Sequence, residues 1–287
     1  MVSEQAAAGA DVASFHWWFW PCLLGLDAPC VALTWTYGVG RATDRPLVPR
    51  VALALFLTVW SIYLGDRLLD VARCQNWQTA TGRLRFGRRW WPMFAVLLGC
   101  SLMSLLAVLW NGLPAAVLRR GAIVAIGVGL HYLLFVTPVV LRVDLPGKEV
   151  GVGLFFPLGA FVCVGATLKT LPLFVALVLV VTFNCLVIAA RDTESDRAND
   201  PRAASRWWPT LRRDLGWLGL ALTVAAGAMS VVAHETAFYL AVAVASGALT
   251  TLHWRAQRAS GDAVRALADF ALLTPLVVLG VESLTRG

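Results

Sequence analysis

The sequence predicts an all-α, polytopic membrane protein with nine transmembrane helices. Three observations lead there. Of 287 residues, 59% are hydrophobic and only 14% charged, and the mean hydropathy of +0.71 lies outside the range of ordinary soluble domains. Apolar windows near the roughly 20 residues needed to cross a hydrocarbon core recur along the whole chain. Inside lipid every backbone polar group needs an internal partner, so windows of that length are helices and not strands.

The nine windows are 15–37, 48–66, 91–110, 114–138, 149–168, 171–190, 215–233, 236–252 and 264–283. Residues 1–14 lack a basic segment, so the first window is expected to remain as a span and not to be cleaved as a signal peptide; it carries one acid, Asp27. The second closes on "IYLGDRLLD". The third follows the tetrapeptide Arg89 to Pro92, Arg-Trp-Trp-Pro. Arg119 and Arg120 crowd one end of the fourth, and His131 sits inside it. The fifth follows the loop "LRVDLPGKEVG", and the sixth runs into "RDTESD". A second Arg-Trp-Trp-Pro, Arg206 to Pro209, precedes the seventh; Trp and Arg both favour the membrane interface. The eighth is short, and the ninth carries Asp269 four residues after Arg265, which reads as an intrahelical ion pair. The echoes suggest a single domain, 1–287, of two similar helical halves, about 15–138 and 149–283.

Loops after the even-numbered windows, counted with Arg265 at the very start of the ninth, hold 17 of the 24 Lys and Arg residues. They are therefore expected on the cytoplasmic side, with the N-terminus inside and the C-terminus outside. In a bacterium the protein would be integral to the inner, cytoplasmic membrane. The net charge of +7 and pI near 9.5 are explained by this topology and by contact with anionic membrane lipid, and no nucleic-acid motif accompanies them. The six cysteines show no CxxC spacing and read as small packing residues. There is no P-loop, HExxH or GxSxG.

The acids at the helix ends carry the chemistry. Residues four apart on a helix share a face about 6 Å apart along the axis, so Asp66 and Asp70 point the same way, as do Asp192 and Asp196, with Asp200 continuing the spacing. Magnesium takes oxygen ligands, keeps several waters, and commonly joins one or two carboxylates to substrate phosphates. Two facing DxxxD turns are suited to hold a magnesium-diphosphate unit. Arg67, Arg191 and Lys148 stand nearby to neutralise phosphate oxygens.

The pair "DRLLD" and "DTESD", four helices apart, resembles the UbiA superfamily of intramembrane prenyltransferases, and the resemblance covers nearly the whole chain. It implies a nine-helix bundle around a central cavity, with two aspartate-rich motifs on the cytoplasmic side binding a prenyl diphosphate through Mg2+. Asp66, Asp70, Asp192 and Asp196 match those motifs as metal-binding and catalytic residues, and Lys148 matches a basic residue found before helix five. The motif asparagine expected four residues before each first aspartate is replaced by Ile62 and Ile188. Each metal site would be one polar ligand poorer; Asn184, two turns before Asp192, is a substitute cavity amide.

The implied reaction is ionisation of an allylic diphosphate, then attack on the cation by a lipophilic, possibly aromatic, acceptor in a cavity shielded from water. Tyr63 is the first candidate to stabilise the cation through its ring; Tyr132, Phe135, Phe155 and Phe156 follow. Asp27, with no local cation, is expected to line the cavity as a polar substrate-binding group, and His131 to be a packed histidine or a proton acceptor. A terpene cyclase on the same scaffold, needing no acceptor, and an ion or lipid transporter are the alternatives. Transporters more often carry ionisable groups near the midplane, whereas these pairs lie at one edge.

Overall fold

The computed structural model describes residues 17–286 apart from 75, 79, 137–146, 166, 194–195, 197–202, 256–258 and 260. Among these residues all regular structure is helical. Short turns at Trp17–Phe19 and Trp20–Leu23 lead into α1 (Asp27–Ala42), the 25-residue α2 (Pro49–Arg73), the short α3 (Gly82–Arg89), α4 (Trp91–Trp110) and α5 (Ala115–His131). The second half contains α6 (Lys148–Val164), α7 (Leu171–Arg191), α8 (Leu211–Val232), α9 (Thr236–Arg255), α10 (Gly261–Ala271) and α11 (Thr274–Arg286).

Seven helical stretches are long and apolar enough to cross a membrane: α2, α4, α5 with its π-helical continuation, α7, α8, α9 and the joined pair α10 and α11. The nine expected spans are thus not all matched, for a local reason in each case. The first window is split at Gly25, whose φ of +67° only glycine adopts easily; α1 then starts at Asp27, whose Oδ1 accepts the Ala28 N–H, and is only 16 residues long. The fifth window yields the 17-residue α6, which starts after Gly147 (φ +120°) and stops at Gly165 (φ +82°). The ninth window is matched by Gly261–Val281, although the helix breaks within it after Ala271, where Pro275 has no N–H to give to a carbonyl of the preceding turn.

The helices pack mainly as neighbouring pairs: α2 on α4, α6 on α7 and α8 on α9. Helix α1 threads the middle, touching α2, α6, α9, α10 and α11, and it buries Trp35 completely. Around Val31, Trp35 and Val39 the core closes with Phe161 of α6, Leu177 and Val187 of α7, and Val242 and Leu249 of α9. A second cluster joins Phe19, Cys22 and Leu23 of the N-terminal turns to Leu64, Phe86, Phe94 and Ala266. Since lipid tails are as apolar as leucine, helices associate through close packing, and glycines allow it. At Gly219 a Cβ would collide with Thr250 and Phe183, and at Gly153 with Thr182.

Helices α4 and α5 are the least buried, presenting Met103, Leu106, Ile123 and Ile126 outward. In the two Arg-Trp-Trp-Pro segments, Trp90 and Trp91 are exposed at the start of α4 and Trp207 just before α8, as expected of interface anchors.

Candidate active site

One large cavity, of about 1400 Å³, opens among α2, α4, α5, α6, α7 and α10. Its two ends differ in chemistry. Leu102, Leu105 and Leu109 of α4 face Val117, Ala125 and Val128 of α5 along an apolar arm, while the other end gathers ionisable groups. Asp66, Asp70, Asp192, Asp196, Tyr63, Lys148, Asn184 and Asp27 all line this one space. Residues up to 169 positions apart in the sequence, and fixed by different helices, thus share one chamber.

The two acidic turns are built differently. Asp66 and Asp70 sit inside α2, one turn apart on the cavity side. Asp192 caps the C-terminus of α7, and the Asp196 N–H donates to the Asp192 carbonyl at 2.8 Å, so the i to i+4 spacing survives past the end of the helix. Asp200 lies outside the described residues.

Each turn meets basic or hydroxyl groups. Arg83 of α3 stands 3.7 Å from Asp70, and the Tyr132 hydroxyl donates to Asp66 at 3.4 Å. Arg265 of α10 pairs with Asp192 at 2.5 Å, and the Ser205 hydroxyl donates to Asp196 at 3.2 Å. Lys148, at the first position of α6, lines the cavity within electrostatic reach of Asp70. The close approach of α10 depends on its first residue: at Gly261 a Cβ would lie 2.6 Å from Asp192 Oδ1.

Several expectations change. Arg67 lines the cavity, but its guanidinium donates to the carbonyls of Leu23 at 2.5 Å and Cys22 at 3.0 Å and lies over the Phe94 ring. Those bonds fix the N-terminal turns against α2. Arg191 is not part of the cavity wall, and its electrostatic neighbour is Arg212. Arg265 does not form the expected intrahelical pair with Asp269; it reaches Asp192 across the bundle, and Asp269 instead accepts from Asn184 Nδ2 at 3.2 Å. Arg83 and Arg265 are therefore cations that touch the motifs. Sequence spacing gave no signal for either, because both pairings cross between elements.

The remaining groups complete the wall. His131 is buried against Phe155 and above Gly151, and Phe155 and Phe156 also face the cavity; the side chain of Phe135 lies outside the described residues. Glu149, missed by sequence reasoning, is buried beside the cavity and accepts the Ala204 N–H at 2.9 Å, tying the segment before α8 to the start of α6. Cys74 caps α2 at the cavity; burial pushes its thiol pKa up, which disfavours a thiolate nucleophile there.

The motif carboxylates are hard oxygens of the kind magnesium takes, with Arg83 and Arg265 beside them, but among the described residues no three of these carboxylates lie within 4.8 Å of one another. No protein-family model, curated protein or solved structure matches this chain.

Proposed function

We propose that this protein is a membrane-embedded, Mg2+-dependent prenyltransferase, moving an isoprenoid chain from a polyprenyl diphosphate to a lipophilic acceptor. The observation that supports it most is the polarity of the large cavity. An acidic and basic end adjoins an apolar arm, which is complementary to a molecule with a polyanionic head and a long hydrocarbon tail. The likeness of the two aspartate turns to those of the UbiA superfamily points the same way. The Lys and Arg distribution supports a cytoplasmic position for the acidic end.

In this reading Asp66, Asp70, Asp192 and Asp196 would hold magnesium beside the diphosphate. When bound, magnesium withdraws charge from the leaving oxygens. Arg83, Lys148 and Arg265 compensate the rest of the negative charge that develops as the allylic C–O bond breaks. The apolar walls from α4 and α5 keep the resulting carbocation from water, and Tyr63, Tyr132 and Phe155 offer ring faces to it. The acceptor then forms the new bond to the allylic carbon and gives up a proton, and diphosphate leaves. A cyclase would share the first step and differ only in what attacks the cation.

The test is release of inorganic diphosphate by the purified chain in lipid with magnesium and farnesyl or geranylgeranyl diphosphate, first alone and then with membrane extract. Release that requires extract supports the transferase. Release without extract, with cyclic products, replaces it by the cyclase. No release from any donor length, with Asp66→Ala and Asp192→Ala as controls, rejects both enzyme readings and leaves the transporter.

A further inference from the structure

A second group of ligand-type side chains, distinct from the two acidic turns, stands at the edge of the cavity, with Asp27, Asn184 and Asp269 in its wall and Cys22 packed beside them. Cys22 Sγ, a carboxylate oxygen of Asp27 and one of Asp269 all lie within 4.8 Å of one another. Asn184 joins them, its Nδ2 on Asp269. The four come from separate elements: the N-terminal turns, the start of α1, the middle of α7, and α10.

Apart from the Ala28 N–H on Asp27 and the Asn184 amide on Asp269, two features leave this group short of positive charge and of donors. First, neither Asp27 nor Asp269 has a basic side chain at ion-pair distance among the described residues. The nearby guanidiniums are committed, Arg67 to the Cys22 and Leu23 carbonyls and Arg265 to Asp192. Second, Asn184 is only 5% exposed, and its Oδ1 is buried with no hydrogen-bond partner while its Nδ2 is satisfied. Two carboxylates and a thiol within 4.8 Å of one another, beside a buried amide whose oxygen has no partner, make a site rich in electron pairs and short of positive charge.

We propose that Cys22, Asp27, Asn184 and Asp269 form a second cation site, selective for an ion of the zinc class. Magnesium avoids sulfur, whereas zinc accepts mixed thiolate and carboxylate ligands. Ligand atoms around a tetrahedral zinc ion are about 3.5 Å apart, so the observed spread requires a closure of about 1 Å. Cys22 gives up its thiol proton to solvent on binding, as metal ligation requires. Asp27, Asn184 and Asp269 also line the cavity, so the ion would face whatever occupies it and polarise an oxygen there. The inference uses none of the motif aspartates and does not depend on prenyl transfer.

The test is a Co2+ titration of the chelator-stripped full chain in lipid nanodiscs, with saturating Mg2+ present to occupy oxygen-only sites. The expected result is one equivalent of cobalt with a near-ultraviolet thiolate charge-transfer band and visible ligand-field bands, both displaced by Zn2+. Cys22→Ser should remove the charge-transfer band, and Asp27→Asn or Asp269→Asn should weaken binding about ten-fold or more. Cys185→Ser, which alters a cavity thiol near Asp269, should leave the spectrum unchanged, as should Asp66→Ala. Absence of the charge-transfer band in monodisperse wild-type protein overturns the proposal, and so does a band that survives Cys22→Ser. Because the wild-type spectrum alone decides, a variant that fails to fold does not protect the idea.

Discussion

Arg265 and Arg67 show how much a single side chain's destination matters. Both are arginines close to aspartates in sequence, yet one meets a motif carboxylate and the other holds two backbone carbonyls. Removing a group that stabilises charge at the reacting centre typically costs about 10²–10³ in rate. Asp66→Ala and Asp192→Ala should therefore each lower diphosphate release by about that factor, measured at saturating donor. Arg67→Leu acts elsewhere: it strands the carbonyls of Cys22 and Leu23, and thermal unfolding in detergent should show a loss of about 2 kcal/mol. Unchanged stability would mean that the N-terminal turns are held by packing alone. The motif acids were legible because a helix repeats every 3.6 residues and an i to i+4 pair is visible in one dimension. The partners Arg83, Arg265 and Ser205 were not, since each is supplied by a different element.

At the scale of elements, glycine and proline decide where helices stop and how closely they cross. Gly219 lets α8 approach Phe183 and Thr250, so Gly219→Leu forces the three helices apart. The expected cost is about 1–3 kcal/mol, seen as a lowered midpoint of thermal unfolding. Helix α3 has a milder dependence: Thr81 accepts the Leu84 N–H at its N-terminus, and Thr81→Ala should cost about 1 kcal/mol and quicken proteolysis near residues 74–89. Equal cleavage rates in the variant and the parent would count against this role. Long uninterrupted windows such as Leu171–Arg191 were readable from hydropathy alone. The breaks at Gly25 and before Thr274 were not, because a hydropathy window averages over one residue of unusual backbone.

Over the whole molecule, one chamber joins a charged end to an apolar arm between α4 and α5. If the arm holds the isoprenoid tail, its depth sets donor length. Ala125→Phe should then shift the preference from geranylgeranyl towards farnesyl diphosphate, read as the ratio of kcat/KM values; an unchanged ratio would place the tail elsewhere. The amino-acid sequence by itself determined a membrane protein of packed apolar helices. It also fixed two acidic pairs at the ends of two of those helices. Both follow from local quantities: transfer free energy summed over a window and side-chain direction over one turn. Only the tertiary structure decided that these pairs share one cavity, that Arg83 and Arg265 answer them, and that Asp27, Asp269, Asn184 and Cys22 converge. Those are contacts between elements far apart in the chain, fixed by which glycine-lined faces pack together, and no one-dimensional period encodes them.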